Sequence, residues 1–344
     1  MSFSVPTVDI SAYVGGGSHT AKAETARQVD RACREVGFIQ ITGHGVPDAV
    51  LTGLSEAMDG FFGCPLDEKL SYRRPADENR GYSAPKSESL SLSLGVESAN
   101  RMADFFEAFN VGRTMHDHPG VTMPEHYAEN TWPNLSGFEP RVEAYFDEAE
   151  RVAETMVSIF ADALGLAPGF FTDLTDHSIN VLRLNNYALP EGTDVTLDGD
   201  LTGMGEHTDF GIVTVLWADQ VRGLQVLGAD HAWHDVVPAD GALLINLGDL
   251  MARWTNERWM STLHRVKPPI VDGTIQRRRS AAFFHDGNAD ALVTTLPSCV
   301  DAGHPDLYSP VTIADHIAAK LAGSRAGTIN TAAQREAERV LQSR

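Results

Sequence analysis

Between residues 180 and 285 the chain is cut into short β-rich segments separated by Gly, Asp, Pro and Asn, and no other feature constrains the fold as much. The segments are Asn180–Tyr187, Gly211–Trp217, Gly223–Leu227, Trp233–Val237, Ala242–Asn246, Leu263–Lys267 and Arg278–His285. Many short strands at this spacing predict a β-sandwich or jelly roll. No helix-length pattern alternates with them, which argues against a doubly wound parallel sheet. Upstream the texture is helical. Ala21–Val36, stopped by Gly37, and Val50–Phe62 read as helices. The clearest helix is Pro140–Leu166, where Val142, Tyr145, Phe146, Ala149, Val152, Ala153, Met156, Phe160 and Leu164 form one apolar stripe. Two more helices are expected near Thr312–Leu321 and Thr331–Leu341, and residues 79–99 read as a long loop over a pocket. The expected organisation is a mixed, mainly helical region over residues 1–120 packed on a mainly β core, 121–344, with bracing helices. The catalytic part is expected at about 180–290.

Of 344 residues, 42% are hydrophobic, enough for a sizeable core and too many for wholesale disorder. Asp and Glu outnumber Lys and Arg by 47 to 27, a formal charge of −20 that repels phosphate backbones and anionic lipid. Neither a nucleic-acid partner nor a membrane is expected, and no apolar run approaches the roughly 18 residues of a spanning helix. The start, MSFSVPTVDI, lacks the basic flank and apolar stretch of a signal peptide. Cys33, Cys64 and Cys299 are odd in number and far apart, which disfavours a disulfide scaffold, a zinc ribbon and an iron–sulfur cluster. A cytoplasmic setting fits, with each cysteine read as a small buried residue. No obligate protein partner is evident.

The chemistry-bearing residues lie in the β-rich interval. His207 and Asp209, in GEHTDFG, are two apart, so on an extended strand they share a face. His264, in STLHRV, is a candidate third ligand from another strand. Two imidazoles and one carboxylate leave about three positions open on an octahedral ion, the arrangement suited to non-haem Fe(II). A bare H-x-D is weak evidence, and His304-Pro305-Asp306 repeats it in a loop-like context. Arg278 and Ser280 strengthen the pattern: a guanidinium and a hydroxyl on one face of an apolar strand call for an anionic ligand. Strand register bears on this. A two-residue turn at Asp272-Gly273 would set His264 opposite Ala281, facing away from Arg278. An odd-length loop would set it opposite Ser280, and that is the expectation.

Other residues have plainer readings. His44 sits in a Gly-rich turn and is expected to bond backbone, and His116 and His118 to face solvent. Trp217, Trp233, Trp254 and Trp259 read as packing residues, Asn246 and Asp249 as turn-fixing, Arg80 and Lys86 as surface charges near the expected loop.

Taken in order, H-T-D, a distant His and R-x-S resemble the Fe(II)/2-oxoglutarate-dependent oxygenases of the isopenicillin N synthase-like family. VPTVDIS and GFIQITGHGVP resemble that family's opening strand and its GFF…NHG segment, FFGCPLDEK a helix end, LRLNNYALP its NYYP strand, and LLINLGDLMARWTNERWMSTLHRV its NIGD…HRV block. The resemblance implies a double-stranded β-helix with His207, Asp209 and His264 as iron ligands. It implies that Arg278 and Ser280 hold the far carboxylate of 2-oxoglutarate, that Asn185 and Tyr187 touch this co-substrate, and that Phe284 lies near the substrate. It implies oxidation of a small molecule by O2 coupled to decarboxylation of the oxoacid, as hydroxylation, desaturation or cyclisation, in specialised metabolism. Two departures stand out. The gap from His264 to Arg278 is longer than usual, which makes Arg277 the alternative anchor, and residues 188–206 form an acidic, Gly-rich insertion. The rivals are an iron oxidase of the same fold that uses no oxoacid, a binding module that has kept the scaffold, and a zinc hydrolase. Oxygen uptake with and without 2-oxoglutarate separates the first; an intact ligand set disfavours the second; Arg278 is superfluous to the third.

Overall fold

The computed structural model of the protein describes residues 3–75, 78–85, 87, 90–94, 105–188, 203–267, 270–272, 274–326, 335 and 338. Its larger sheet has eight strands in the order β1-β2-β10-β7-β14-β5-β4-β3. These are β1 (Thr7–Asp9), β2 (Phe38–Thr42), β3 (Gly81–Ser83), β4 (Glu107–Gly112), β5 (Val181–Tyr187), β7 (Val213–Ala218), β10 (Leu243–Leu247) and β14 (Arg278–His285). The smaller sheet runs β6-β11-β8-β9: β6 (Met204–His207), β8 (Leu224–Leu227), β9 (Trp233–Asp235) and β11 (His264–Val266). Two further two-stranded sheets pair β12 (Ile270–Val271) with β13 (Thr274–Ile275) and β15 (Leu292–Val293) with β16 (Val311–Thr312). The helices are α1 (Ser11–Val14), α2 (His19–Glu35), α3 (Asp48–Phe62), α4 (Leu66–Leu70), α5 (Phe138–Leu164), α6 (Thr172–Thr175), α7 (Asp249–Trp254) and α8 (Ile313–Ala326). This is the mainly β jelly roll with flanking helices that the strand spacing predicts.

The larger sheet is buried on both faces where it matters. Along β5 every residue is buried. Leu182 and Leu184 join the core that includes Tyr145, Phe146, Ala149, Val152 and Met156 of α5, while Val181, Arg183, Asn185 and Tyr187 line an interior cavity on the other face. The apolar stripe of α5 is therefore the outer wall of the core. Phe146 meets Phe283 edge to face, ring centres 5.0 Å apart, and each such fully buried side chain contributes about 1.5–3 kcal/mol.

The N-terminal region supplies more than helices. Its predicted helices are α2, capped by Ser18 Oγ accepting from the Ala21 N–H at 3.2 Å, and α3. Yet β1 and β2 extend one side of the larger sheet and β3 and β4 the other. The strand β4 shows no polar/apolar alternation because all six residues are buried. Its Glu107 is satisfied by Lys69 Nζ and the Tyr82 hydroxyl, both at 2.7 Å, and by Asn186 Nδ2 at 2.8 Å. Inside the expected loop at 79–99 lie β3 and a 3-10 turn at Leu90–Leu94; Lys86 and 95–99 lie outside the described residues. So does most of the insertion, 189–202, and the expected helix at 331–341 apart from Arg335 and Glu338.

The connection from 264 to 280 differs from expectation. Val271 pairs with Thr274 and Ile270 with Ile275, a two-residue turn rather than an odd-length loop. The hairpin register also does not propagate. His264 pairs with His207 and Val226 in the smaller sheet, and Ser280 with Asn185 and Ala218 in the larger. Their common interior arises because the two sheets face one another, not because β11 and β14 share a ladder. Among the described residues no helix is long and apolar enough to cross a membrane.

Candidate metal centre and co-substrate pocket

His207 ends β6, Asp209 lies two residues on, and His264 opens β11 directly opposite His207. All three are buried, and one donor atom from each lies within 4.8 Å of the others. His207 Nδ1 is 2.7 Å from the carbonyl oxygen of Gly205, and His264 Nδ1 is 3.0 Å from that of Thr262. A carbonyl only accepts, so each Nδ1 carries the proton and each Nε2 presents its lone pair. These Nε2 atoms face Asp209 Oδ1 at 3.8 and 3.6 Å. Burial, and then the neighbouring His264, hold His207 well below the ordinary imidazole value, which keeps it in the neutral form that ligates metals. Two neutral imidazoles and a carboxylate converging from one side fit a divalent iron ion with a face left for other ligands.

The three side chains are held from behind. Asp209 Oδ2 accepts from Thr214 Oγ1 at 2.5 Å and Asn246 Nδ2 at 2.6 Å, which leaves Oδ1 toward the histidines. The turn after β10 clamps the same loop: the Asp249 N–H donates to the Asp209 carbonyl at 2.8 Å and the Leu250 N–H to Gly211 at 3.1 Å. Gly248 is required for this approach, because a Cβ there would lie 2.0 Å from the Gly211 carbonyl oxygen. The Asp249 side chain is a hub. It accepts from Thr208 Oγ1 at 3.1 Å and Ser261 Oγ at 2.7 Å, and it pairs with Lys320 of α8 at 2.7 Å. Asn246 and Asp249, read from sequence as turn-fixing, thus also orient the triad. Thr214 and Lys320 carried no signal in the sequence, since their roles depend on long-range register and helix docking.

One cavity of about 100 Å³ joins this centre to the inner face of the larger sheet. The ladder there pairs Arg278 with Tyr187, Ser280 with Asn185, Ala282 with Arg183 and Phe284 with Val181. Arg278, Ser280, Asn185, Tyr187 and Phe284 all line the cavity, together with the three ligands. Arg278 is 1% exposed, and its Nε and Nη1 have no hydrogen-bond partner among the described residues. Burial pulls its pKa below the ordinary arginine value, and Tyr187 beneath it, 5.3 Å to the ring centre, is no counter-ion. A buried guanidinium with two unpartnered nitrogens fits an incoming carboxylate, each charged hydrogen bond being worth about 1.5–3 kcal/mol. Arg277 is turned outward instead, donating to Asp59 Oδ1 and Asn186 Oδ1.

Other expectations resolve as follows. His44 bonds backbone, as expected, with Nε2 2.9 Å from the Gly241 carbonyl. His116 is exposed, but His118 is half-buried against Tyr127. Cys33 is buried, whereas Cys64 and Cys299 are half-buried; all are free thiols. Trp254 and Trp259 are fully buried, and Trp217 packs on the core. Arg80 is not a surface charge: it is buried and donates to the carbonyls of Asn79, Arg113 and Ala128. His304 is exposed and faces Asp301. Asp286, unnoticed in the sequence, lines the cavity one step beyond Phe284; burial, and then the charge of Asp209, raise its carboxyl to about 7.

Two family models match. Residues 5–135 match the N-terminal region described for a non-haem dioxygenase in morphine synthesis, and residues 179–287 match the 2OG-Fe(II) oxygenase superfamily. A 2-oxoglutarate-Fe(II) type oxidoreductase, hxnY, of Emericella nidulans is 33% identical, covering 91% of this chain and 88% of that one. A validamycin A dioxygenase of Streptomyces hygroscopicus subsp. limoneus is 32% identical over 88% of this chain and 82% of its own. Among solved structures, Neurospora crassa T7H in complex with alpha-KG and 5-formyluracil superposes with a TM-score of 0.78 at 28% identity, covering 92% of this chain and 96% of that one. With a His-Asp-His triad beside a buried arginine, the chain belongs to the 2OG-Fe(II) oxygenase superfamily and is an Fe(II)/2-oxoglutarate-dependent dioxygenase.

Proposed function

We propose that His207 Nε2, one Asp209 oxygen and His264 Nε2 hold the Fe(II), and that Arg278 with the Ser280 hydroxyl receives the far carboxylate of 2-oxoglutarate. The observation that carries this is the pair of Arg278 nitrogens, Nε and Nη1, without a partner among the described residues, in the cavity that also holds the triad. Asn185 and Tyr187, on the same ladder face, flank the oxoacid between the two anchors. Iron bound there would supply the site at which O2 is reduced as the oxoacid is decarboxylated to succinate and the substrate is oxidised, by hydroxylation, desaturation or cyclisation. The chain's own part is geometric. Thr214 and Asn246 fix the Asp209 carboxylate, backbone carbonyls fix both imidazoles, and the two sheets keep bulk water away from the reacting atoms. Catalytic residues then lie within 180–290.

The substrate is a small molecule that lies against Phe284, Val181 and the inner side of α8, where Ile317 and Leu321 close the cavity. Relatives named validamycin A dioxygenase and gibberellin 20 oxidase, 32% identical each, support a role in specialised metabolism. Oxygen uptake and succinate formation with Fe(II), in the presence and absence of 2-oxoglutarate, test the reading. Succinate should appear only with the oxoacid, and Arg278→Gln should abolish it at ordinary co-substrate concentrations. Oxygen uptake that ignores 2-oxoglutarate would refute it.

A further inference from the structure

The inner face of β14 is charged at one end and oppositely charged just past the other. Arg278, Ser280, Ala282 and Phe284 alternate inward along the strand, and Asp286 continues the alternation after it. The cationic end is matched by the dianionic oxoacid. Nothing in the mechanism uses the anionic end. Asp286 is 7% exposed and makes no hydrogen bond or ion pair with any described residue. The apolar side chains Val181, Phe284, Ile317 and Leu321 line the same cavity. It also lines a second cavity of about 430 Å³ that shares Val181, Ile317 and Leu321 with the first, so it stands where the two spaces meet.

A like charge acts on it from Asp209, one of the proposed iron ligands, and Glu125 and His126 line the second cavity facing each other at 3.9 Å. Arg80 is turned onto three backbone carbonyls, and Glu78 is paired with Arg74 at 2.6 Å. Arg183 lies nearer the oxoacid end, its guanidinium over Phe106 at 5.0 Å and its Nε donating to Asn185. The fold also makes room for the acid: a Cβ on Gly211 would lie 1.9 Å from Asp286 Oδ1. A carboxylate buried without donors is costly, and the cost is offset when a cation arrives.

We propose that Asp286 is the specificity-determining anchor for a protonated nitrogen on the substrate, so that the enzyme oxidises an amine or a basic nitrogen heterocycle whose apolar part lies against Phe284 and α8. This rests on the oxygenase reading and names its substrate class. The test uses the full chain loaded with Fe(II) and 2-oxoglutarate without oxygen, titrated by calorimetry with benzylamine, benzyl alcohol and benzoate as probes. Benzylamine should bind at least tenfold more tightly than either of the others. Asp286→Asn should weaken benzylamine at least tenfold and leave the 2-oxoglutarate dissociation constant within twofold. Equal or tighter binding of benzyl alcohol or benzoate by the wild type would overturn the proposal, whether or not the variant folds. So would a folded variant that keeps the amine preference. Failure of the wild type to bind 2-oxoglutarate would instead strike the oxygenase reading, since the amine ranking is measured separately.

Discussion

Asp209 is a proposed ligand whose direction is set by its neighbours. Thr214 and Asn246 both donate to Oδ2, and the carboxylate would otherwise rotate about its last bond. Asn246→Ala should raise the dissociation constant for Mn(II), used as a stand-in for Fe(II), tenfold to a hundredfold. Thermal melting should shift by only a few degrees, on the order of 1–2 kcal/mol for one buried hydrogen bond. An unchanged Mn(II) affinity would show that the carboxylate needs no such support. Arg278 makes the opposite prediction, because its Nε and Nη1, unpartnered among the described residues, weigh against the unliganded fold. Arg278→Met should stabilise the apoprotein by about 1–3 kcal/mol in urea denaturation while 2-oxoglutarate affinity falls at least a hundredfold. A loss of both stability and affinity would mean that the arginine has a structural partner. At this scale the H-x-D and R-x-S pairs are legible in sequence, since a spacing of two places both members on one strand face. Thr214, Asn246 and Asp286 are not, because what they touch is decided by strands far away in the chain.

The element that closes the site is α8. It contributes Ile317 and Leu321 to the cavity wall and Lys320 to the ion pair with Asp249, both partners 1% exposed at the side chain. Thr208, between two of the proposed iron ligands, and Ser261, three residues before the third, bond the same carboxylate. Lys320→Met leaves Asp249 as a buried unpaired charge and should cost about 3–5 kcal/mol by urea denaturation. Adding Asp249→Asn should recover part of that loss. Strictly additive losses would show that the two residues are not coupled. The helices and most strands of this molecule are readable from apolar periodicity and turn residues. The strand β4 is not, because burial on both faces erases alternation and Glu107 looks solvent-facing until Lys69 and Tyr82 are placed beside it. The His264–Arg278 connection misleads for a related reason. Sequence neighbours suggest one hairpin, while a jelly roll sends successive strands to opposite sheets.

Across the whole molecule, buried imidazoles tie stability to pH. Burial pushes His285 down to about 4, and burial with the charge of Lys320 pushes His316 down to about 3. Between the unfolded value near 6.5 and these folded values the unfolded chain binds more protons, so stability falls as pH drops through that window. Asp286, raised to about 7, acts in the opposite sense and offsets part of the loss. His285→Gln should flatten the dependence of unfolding free energy on pH between about 6.5 and 4 by as much as about 1.4 kcal/mol per pH unit. An unaltered slope would mean that His285 is protonated in the native state. One consequence concerns the order in which the enzyme is made. During synthesis the triad leaves the ribosome before residues 313–326, which bring the counter-charge to Asp249 and the far side of the chamber. A chain ending ahead of that stretch would keep the three proposed ligands but lack both Lys320 at Asp249 and the wall made by Ile317 and Leu321.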